Sequence, residues 1–174
     1  IGPSPIHASG DNCPATSQRR VLLLLAILAF GAVVVEIITS DWAALRLSED
    51  LSASASVAAL GYVAFTSGMV MGRFSGDWAT ARIGAQRLTK LAIVTAGIGL
   101  AAATLVPGSV GLAQSLSFVG YLVAGLGVAV LFPRLYDTAA RAPGRPGVAL
   151  GAMTAGSRLG VLATPVLVGV LADT

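Results

Sequence analysis

Glu36 and Arg158 are ionisable residues placed deep within apolar runs, in the stretches VVVEIITS and TAGSRLGV. A charge in hydrocarbon is costly enough to mark proton relays and substrate contacts. A carboxyl that alternates between a dry setting and one beside a cation changes its affinity for a proton. Glu36 is therefore a candidate proton carrier. The forked guanidinium of Arg158 suits a carboxylate or phosphate, which makes it a candidate substrate contact. Counted along each run, Glu36 lies roughly 22 Å deep and Arg158 roughly 16 Å. The two long side chains are within reach of one another, so a structural ion pair is the competing reading. Asp77 and Arg134 fall where their runs end, on the same side. They could form a gating ion pair between end states, or a solvated pair worth about 0 to 1 kcal/mol. Asp41 and Trp42 read as anchors at the membrane interface, with Asp41 a further cavity candidate. His7 and Cys13 lie in a polar N-terminal stretch. No nucleophile–base set, metal cluster or nucleotide-phosphate loop accompanies them. The expectation is a protein that is not an enzyme and holds no cofactor or metal.

The elements that carry these residues follow from composition. The 174 residues are 55% hydrophobic and 11% charged, where soluble domains carry about a quarter charged residues. The mean hydropathy is +0.83. Five apolar runs, at about 21–39, 55–72, 88–106, 111–132 and 148–171, meet the roughly 17 to 25 residues a helix needs to cross a bilayer. None shows the period-two alternation of a strand, and helices satisfy their own backbone in lipid. The fold class is an all-α membrane protein with five transmembrane helices. Pro133 is expected to end the fourth run and Pro165 to bend the fifth. Residues 1–20, with several Pro, Gly and Ser, form a linker rather than a signal peptide.

The net charge of +3 points to topology rather than to nucleic acid, because the basic residues sit between runs. Arg19, Arg20, Arg73, Arg82, Arg87, Lys90, Arg134, Arg141 and Arg145 fall on one side and Arg46 alone on the other. That bias places the linker in the cytoplasm. Glycines at 68, 72 and 76, at 147 and 151, and at 156 and 160 recur every four residues, so each set lines one helix face and permits close packing. Tyr62, Phe65, Tyr121 and Tyr136 either line a cavity or pack in the core.

The segment Gly72-Arg73-Phe74-Ser75-Gly76-Asp77-Trp78-Ala79-Thr80-Ala81-Arg82-Ile83-Gly84 resembles the basic loop after the second helix of each half in the major facilitator superfamily. The closest pattern is that of its fucose-permease-like bacterial branch, roughly G-R-x-x-G-D-x-x-x-D-R-x-G-R-R. Gly72, Arg73, Gly76, Asp77, Arg82 and Gly84 agree with it. Ala81 replaces the second acid, and Ala85 and Gln86 replace the basic pair. Glu36 through Trp42 is similar to the branch's E-G-x-x-x-D-W, with Ile37 in place of glycine. Gly125-Leu126-Gly127 with Phe132-Pro133-Arg134, and the stretch from Pro165 to Asp173, resemble the ends of two later helices.

The resemblance implies that the runs are helices seven to eleven of twelve in a partial major-facilitator-type bundle. The chain would begin and end inside a longer protein. Its partners would be the lipid bilayer, a missing N-terminal six-helix half, a missing final helix and a small-molecule substrate, with no nucleic acid. Its place would be the bacterial inner membrane. The resemblance also implies secondary active transport by alternating access, with the 72–84 segment as a gating loop. Sugars and other small polar solutes, or drugs for efflux, are open as substrates. The alternative is a non-transporting membrane subunit or an inert truncated product.

Overall fold

Continuous runs of Leu, Ala, Val and Ile set the helices. The computed structural model describes residues 15–105, 110–142 and 146–172. Within them lie five helices, α1 (Ala15–Glu49), α2 (Ala55–Ile83), α3 (Ala85–Leu105), α4 (Val110–Ala140) and α5 (Pro146–Ala172). All five are long and apolar enough to cross a membrane, and the described residues hold no strand. This is an all-α, multi-pass membrane protein. Most of the N-terminal linker, with His7 and Cys13, lies outside the described residues, as do Arg145, Asp173 and residues 106–109.

The helices run well past the apolar runs, and each extension has a physical reason. Residues 72–83, expected as a loop, continue α2. The stretch lacks proline, so nothing interrupts the backbone ladder, and the hydroxyls of Ser75 and Thr80 bond within the helix, to the carbonyls of Met71 and Gly76 at 2.8 and 2.7 Å. Polarity marks where the chain leaves the membrane, and leaving the membrane does not end a helix. Gly84 ends it. At φ 80 this glycine adopts a conformation that side chains disfavour, and its N–H donates to Thr80 O at 3.0 Å. Residues 15–20, expected in the linker, likewise belong to α1, which also continues through Asp41 to Glu49.

Pro133 was expected to end the fourth helix, and α4 instead runs through it to Ala140. Proline removes one hydrogen bond, but the turns beyond it are held from outside. Ala139 is fully buried with Leu25, Ala29, Ala149 and Met153. Asp137 also pairs with Arg134 at 3.6 Å and Arg141 at 2.7 Å along the helix. The helix of α5 is likewise continuous through Pro165.

Packing is organised around α4 and α1. α4 packs against α2 and α3, while α1 packs chiefly against α5. Every one of these seams is built on glycine, which lets backbones meet. Gly68 and Gly125 lie at the α2–α4 crossing, where an added Cβ would strike the carbonyls of Leu122 and Phe65. Gly99 and Gly120 meet at the α3–α4 seam, and Gly156 lies on Ala26 of α1. Among the four-residue repeats, 68, 72, 156 and 160 make such approaches, whereas 76, 147 and 151 face open space.

At the far end from the basic loops, Arg46 ties α1 to α3. Its Nε and Nη2 donate to the carbonyls of Ala103 and Thr104 at 3.1 and 2.6 Å, and its Nη1 donates to Asp50 at 2.9 Å. Ser117 of α4 donates to the same Ala103 carbonyl at 2.9 Å. These bonds satisfy carbonyls that the end of α3 leaves without helical partners. Arg46→Gln is expected to lower unfolding stability by about 1.5 to 3 kcal/mol, the range for bonds to a charged donor. Lysine, lacking the fork, would restore only part. Melting of the purified protein in micelles checks both.

Candidate functional site

Glu36 sits in the middle of α1, half-buried. It shares a helix face with Ala29, Ala32 and Val33, which lie seven, four and three residues before it and are all buried. It therefore points to the packed side of α1 and not to lipid. Among the described residues its carboxylate makes no ion pair, and the first cation of α2 is the exposed Arg73. α1 and α2 pack antiparallel along this stretch, with Gly61 of α2 against Ala43 and Leu47 of α1. Moving down α1 from Ala43 therefore moves up α2 from Gly61 toward Arg73.

Arg158 is placed elsewhere. Gly156 and Gly160 face α1, and a residue two positions from each lies on the opposite side of a helix with 3.6 residues per turn. Arg158 is accordingly exposed, on a face it shares with Gly151 and Thr154, both also exposed. The described residues form three ion pairs, Arg46–Asp50, Arg134–Asp137 and Arg141–Asp137. Neither a Glu36–Arg158 pair nor an Asp77–Arg134 pair is among them. Asp77 is exposed on α2, and Arg134 turns to Asp137 on its own helix.

The 72–84 residues divide by role. Gly72 packs against Ala129 and Leu126 of α4, Gly76 is open, and Gly84 caps the helix. Arg82 lies over the Trp78 ring at 4.7 Å from its centroid, an exposed cation–π contact of about 0.5 to 1 kcal/mol. Asp41 is exposed one turn beyond Glu36, and Trp42 is half-buried.

Of the four aromatics, Phe65 is core and Tyr62 and Tyr136 are exposed. Tyr121 is buried and borders a groove of about 540 Å³ between α1, α3 and α4 with Thr39, Trp42 and Arg46. The sequence flagged Tyr121 only as one aromatic among four. Arg46 had no signal beyond being the lone cation on its side.

The chain is a polytopic helical bundle with a half-buried carboxylate in one span and an exposed guanidinium in another, and it is similar to known membrane proteins. The chain is 33% identical over 134 residues, 76% of its length, to the membrane protein MosC of Rhizobium meliloti, covering 32% of that protein. It is 25% identical over 156 residues, 89% of its length, to an uncharacterised MFS-type transporter of Yersinia pestis, covering 39% of it. It is 29% identical over 119 residues, 68% of its length, to an uncharacterised transporter of Sinorhizobium fredii, covering 30% of it. The chain thus spans about a third of the length of the curated relatives it matches. No protein-family model and no solved structure matches it.

Proposed function

We propose that the chain is most of the C-terminal half of a secondary active transporter that moves a small solute by alternating access, with Glu36 as its proton carrier. In this reading the five helices are the seventh to eleventh of twelve, of the fucose-permease-like kind. The observation that carries the proposal is Arg158. It stands near the middle of α5, exposed, on the face that α1 leaves uncovered. A guanidinium at that depth facing lipid is unfavourable by about 2.5 to 3.5 kcal/mol on insertion scales. That face of α5 therefore borders water or another part of the protein. A central cavity shared with a preceding six-helix half meets the requirement, and the greater length of the transporter-named relatives supports it. A non-transporting five-helix subunit would leave the charge in hydrocarbon.

The one-sided basic residues support a cytoplasmic N-terminal side and a bacterial inner-membrane location. The protein acts as a transporter and not as an enzyme. Asp77, Arg134 and the 72–84 segment would meet the other half at the cytoplasmic rim, where rocking of the two halves makes and breaks contacts.

The test is flux through the full-length polypeptide in liposomes with an imposed pH gradient, screened with sugars, small polar solutes and drugs in both directions. Gradient-driven movement of at least one class is expected. Folded protein that moves none of them would overturn the reading. For an anionic solute, Arg158→Lys should raise KM about tenfold, the equivalent of about 1.4 kcal/mol. An unchanged KM would remove Arg158 from the binding site.

A further inference from the structure

Among the basic residues, Lys90 of α3 and Arg134 of α4 line one groove. α1 and α3 both pack on α4, and the groove, about 840 Å³, runs between them with Val128 and Leu131 of α4 in its lining. Its polarity is divided by depth. Gln86, Thr89, Lys90, Arg134 and Thr138 are its polar residues, and all lie at the mouth, where α3 begins and α4 finishes. Past them, from Ile93 to Leu100 on α3 and from Leu25 to Val35 on α1, every lining residue is apolar. No acidic residue borders the groove.

We propose that this groove binds one anionic phospholipid, with its phosphate between Lys90 and Arg134 and an acyl chain along the apolar lining. The site is separate from the transport reading and needs only the membrane setting of the five helices.

Arg134 is short of partners. Its Nε is buried and has no hydrogen-bond partner among the described residues. Its ion pair with Asp137 is loose, at 3.6 Å, and Asp137 is held more closely by Arg141, at 2.7 Å. A buried donor without an acceptor is unfavourable, so an acceptor that reaches this Nε from the groove is bound with advantage. Lys90 is exposed and forms no ion pair among the described residues. A long cation near a helix end can snorkel to the membrane surface. The buried Nε of Arg134 cannot follow it there.

The two cations also stand close in depth. Gly127 of α4 meets Ala92 and Ala96 of the antiparallel α3. Arg134, seven residues on, is therefore level with the first turn of α3 and within about one turn of Lys90. A phosphodiester presents two unbridged oxygens, one for the guanidinium, which suits phosphate, and one for the ammonium. Basic pockets between membrane helices bind anionic headgroups on these terms. A zwitterionic lipid brings its own cation to a mouth that already holds two.

The dimensions match a lipid rather than free phosphate. From Lys90 to Leu100 the groove follows α3 for about 15 Å at helical rise, which is one leaflet's share of the roughly 30 Å of hydrocarbon. Free phosphate would use the mouth and leave the apolar lining without a role.

The test is native mass spectrometry of the full-length polypeptide from micelles holding equal phosphatidylglycerol and phosphatidylcholine. Preferential retention of one phosphatidylglycerol is expected. Lys90→Gln and Arg134→Gln should each weaken it about fivefold, the share of one basic residue. Arg82→Gln, on a helix that contributes nothing to the groove, should leave it unchanged. No preference for phosphatidylglycerol, or an equal loss in all three variants, would overturn the site, the latter by showing diffuse attraction to the basic side. Phosphatidylglycerol should also raise the melting temperature of the unsubstituted protein, and inorganic phosphate should not. An equal rise with phosphate would reduce the site to an anion contact and overturn the lipid. A photoactivatable phosphatidylglycerol requires no variant to fold. Its adducts should fall near Leu28, Ile93 and Leu131, and adducts spread evenly over all five helices would overturn the proposal.

Discussion

On the proposed function, Glu36→Gln in the full-length polypeptide is expected to abolish accumulation driven by a pH gradient, with uptake falling on the order of tenfold or more, while exchange of solute across the membrane without a gradient stays within about twofold. Glutamine matches glutamate in shape and keeps its hydrogen-bonding reach, but it binds no proton at this position. A loss confined to the driven reaction separates a coupling role from a packing role, because a packing defect impairs exchange as well. The expectation rests on placement. Glu36 is on the packed face of α1, half-buried, and clamped in no ion pair among the described residues. A carboxyl held in a tight ion pair stays charged throughout a cycle. One free of such a pair alternates between favouring and disfavouring the charge as its surroundings change from wet to dry. Glu36→Asp, which keeps the carboxyl, should recover part of the driven uptake. Unchanged proton-driven uptake in Glu36→Gln would sink the idea.

The separation of Glu36 from Arg158 shows what the sequence conceals. Depth along a helix is legible from residue counts, and both Glu36 and Arg158 do lie within membrane-length helices. Rotation about the helix axis is a different matter. Whether two residues at similar depth meet depends on which faces the packing buries, and here Gly156 and Gly160 turn Arg158 away from α1. The five runs were legible because continuous apolar sequence of that length has no other stable form in lipid. Their ends were not. Hydropathy reports where the chain leaves the membrane, while α2 runs on beyond Gly72 until Gly84 stops it and α4 beyond Pro133 is held by ion pairs and the burial of Ala139. The role of Arg46 depends on α3 ending within its reach, a meeting of residues 57 and 58 positions apart that no local pattern encodes.

The same distinction governs the glycines and leads to the largest stability effect. A four-residue spacing identifies a helix face but not which members of it meet a backbone. At Gly68 a Cβ would strike the Leu122 carbonyl and come within 2.9 Å of its carbon. At Gly125 it would strike the Phe65 carbonyl and come within 2.9 Å of the Met69 nitrogen. Neither neighbour is a flexible side chain, so α2 and α4 must move apart along their whole contact. Overpacking costs about 1 to 3 kcal/mol, against which alanine recovers up to about 1 kcal/mol of helix propensity. Gly68→Ala and Gly125→Ala should each destabilise by about 1 to 2 kcal/mol, and leucine at either should prevent native packing of the pair. Gly76 and Gly151, with nothing within 4 Å, supply the opposite sign. Alanine there should be neutral or stabilising by up to about 1 kcal/mol. Denaturant or thermal unfolding of the purified protein in micelles distinguishes the two sets. The combinations test the mechanism further. Gly68 and Gly125 share one crossing, so the first methyl separates the helices and the second costs less, giving a double variant less damaged than the sum. Gly156 serves the α1–α5 seam, and its alanine substitution should add to either without such relief. Equal, additive losses at all five positions would mean that helix propensity or lipid exposure, and not backbone approach at the crossings, sets the cost.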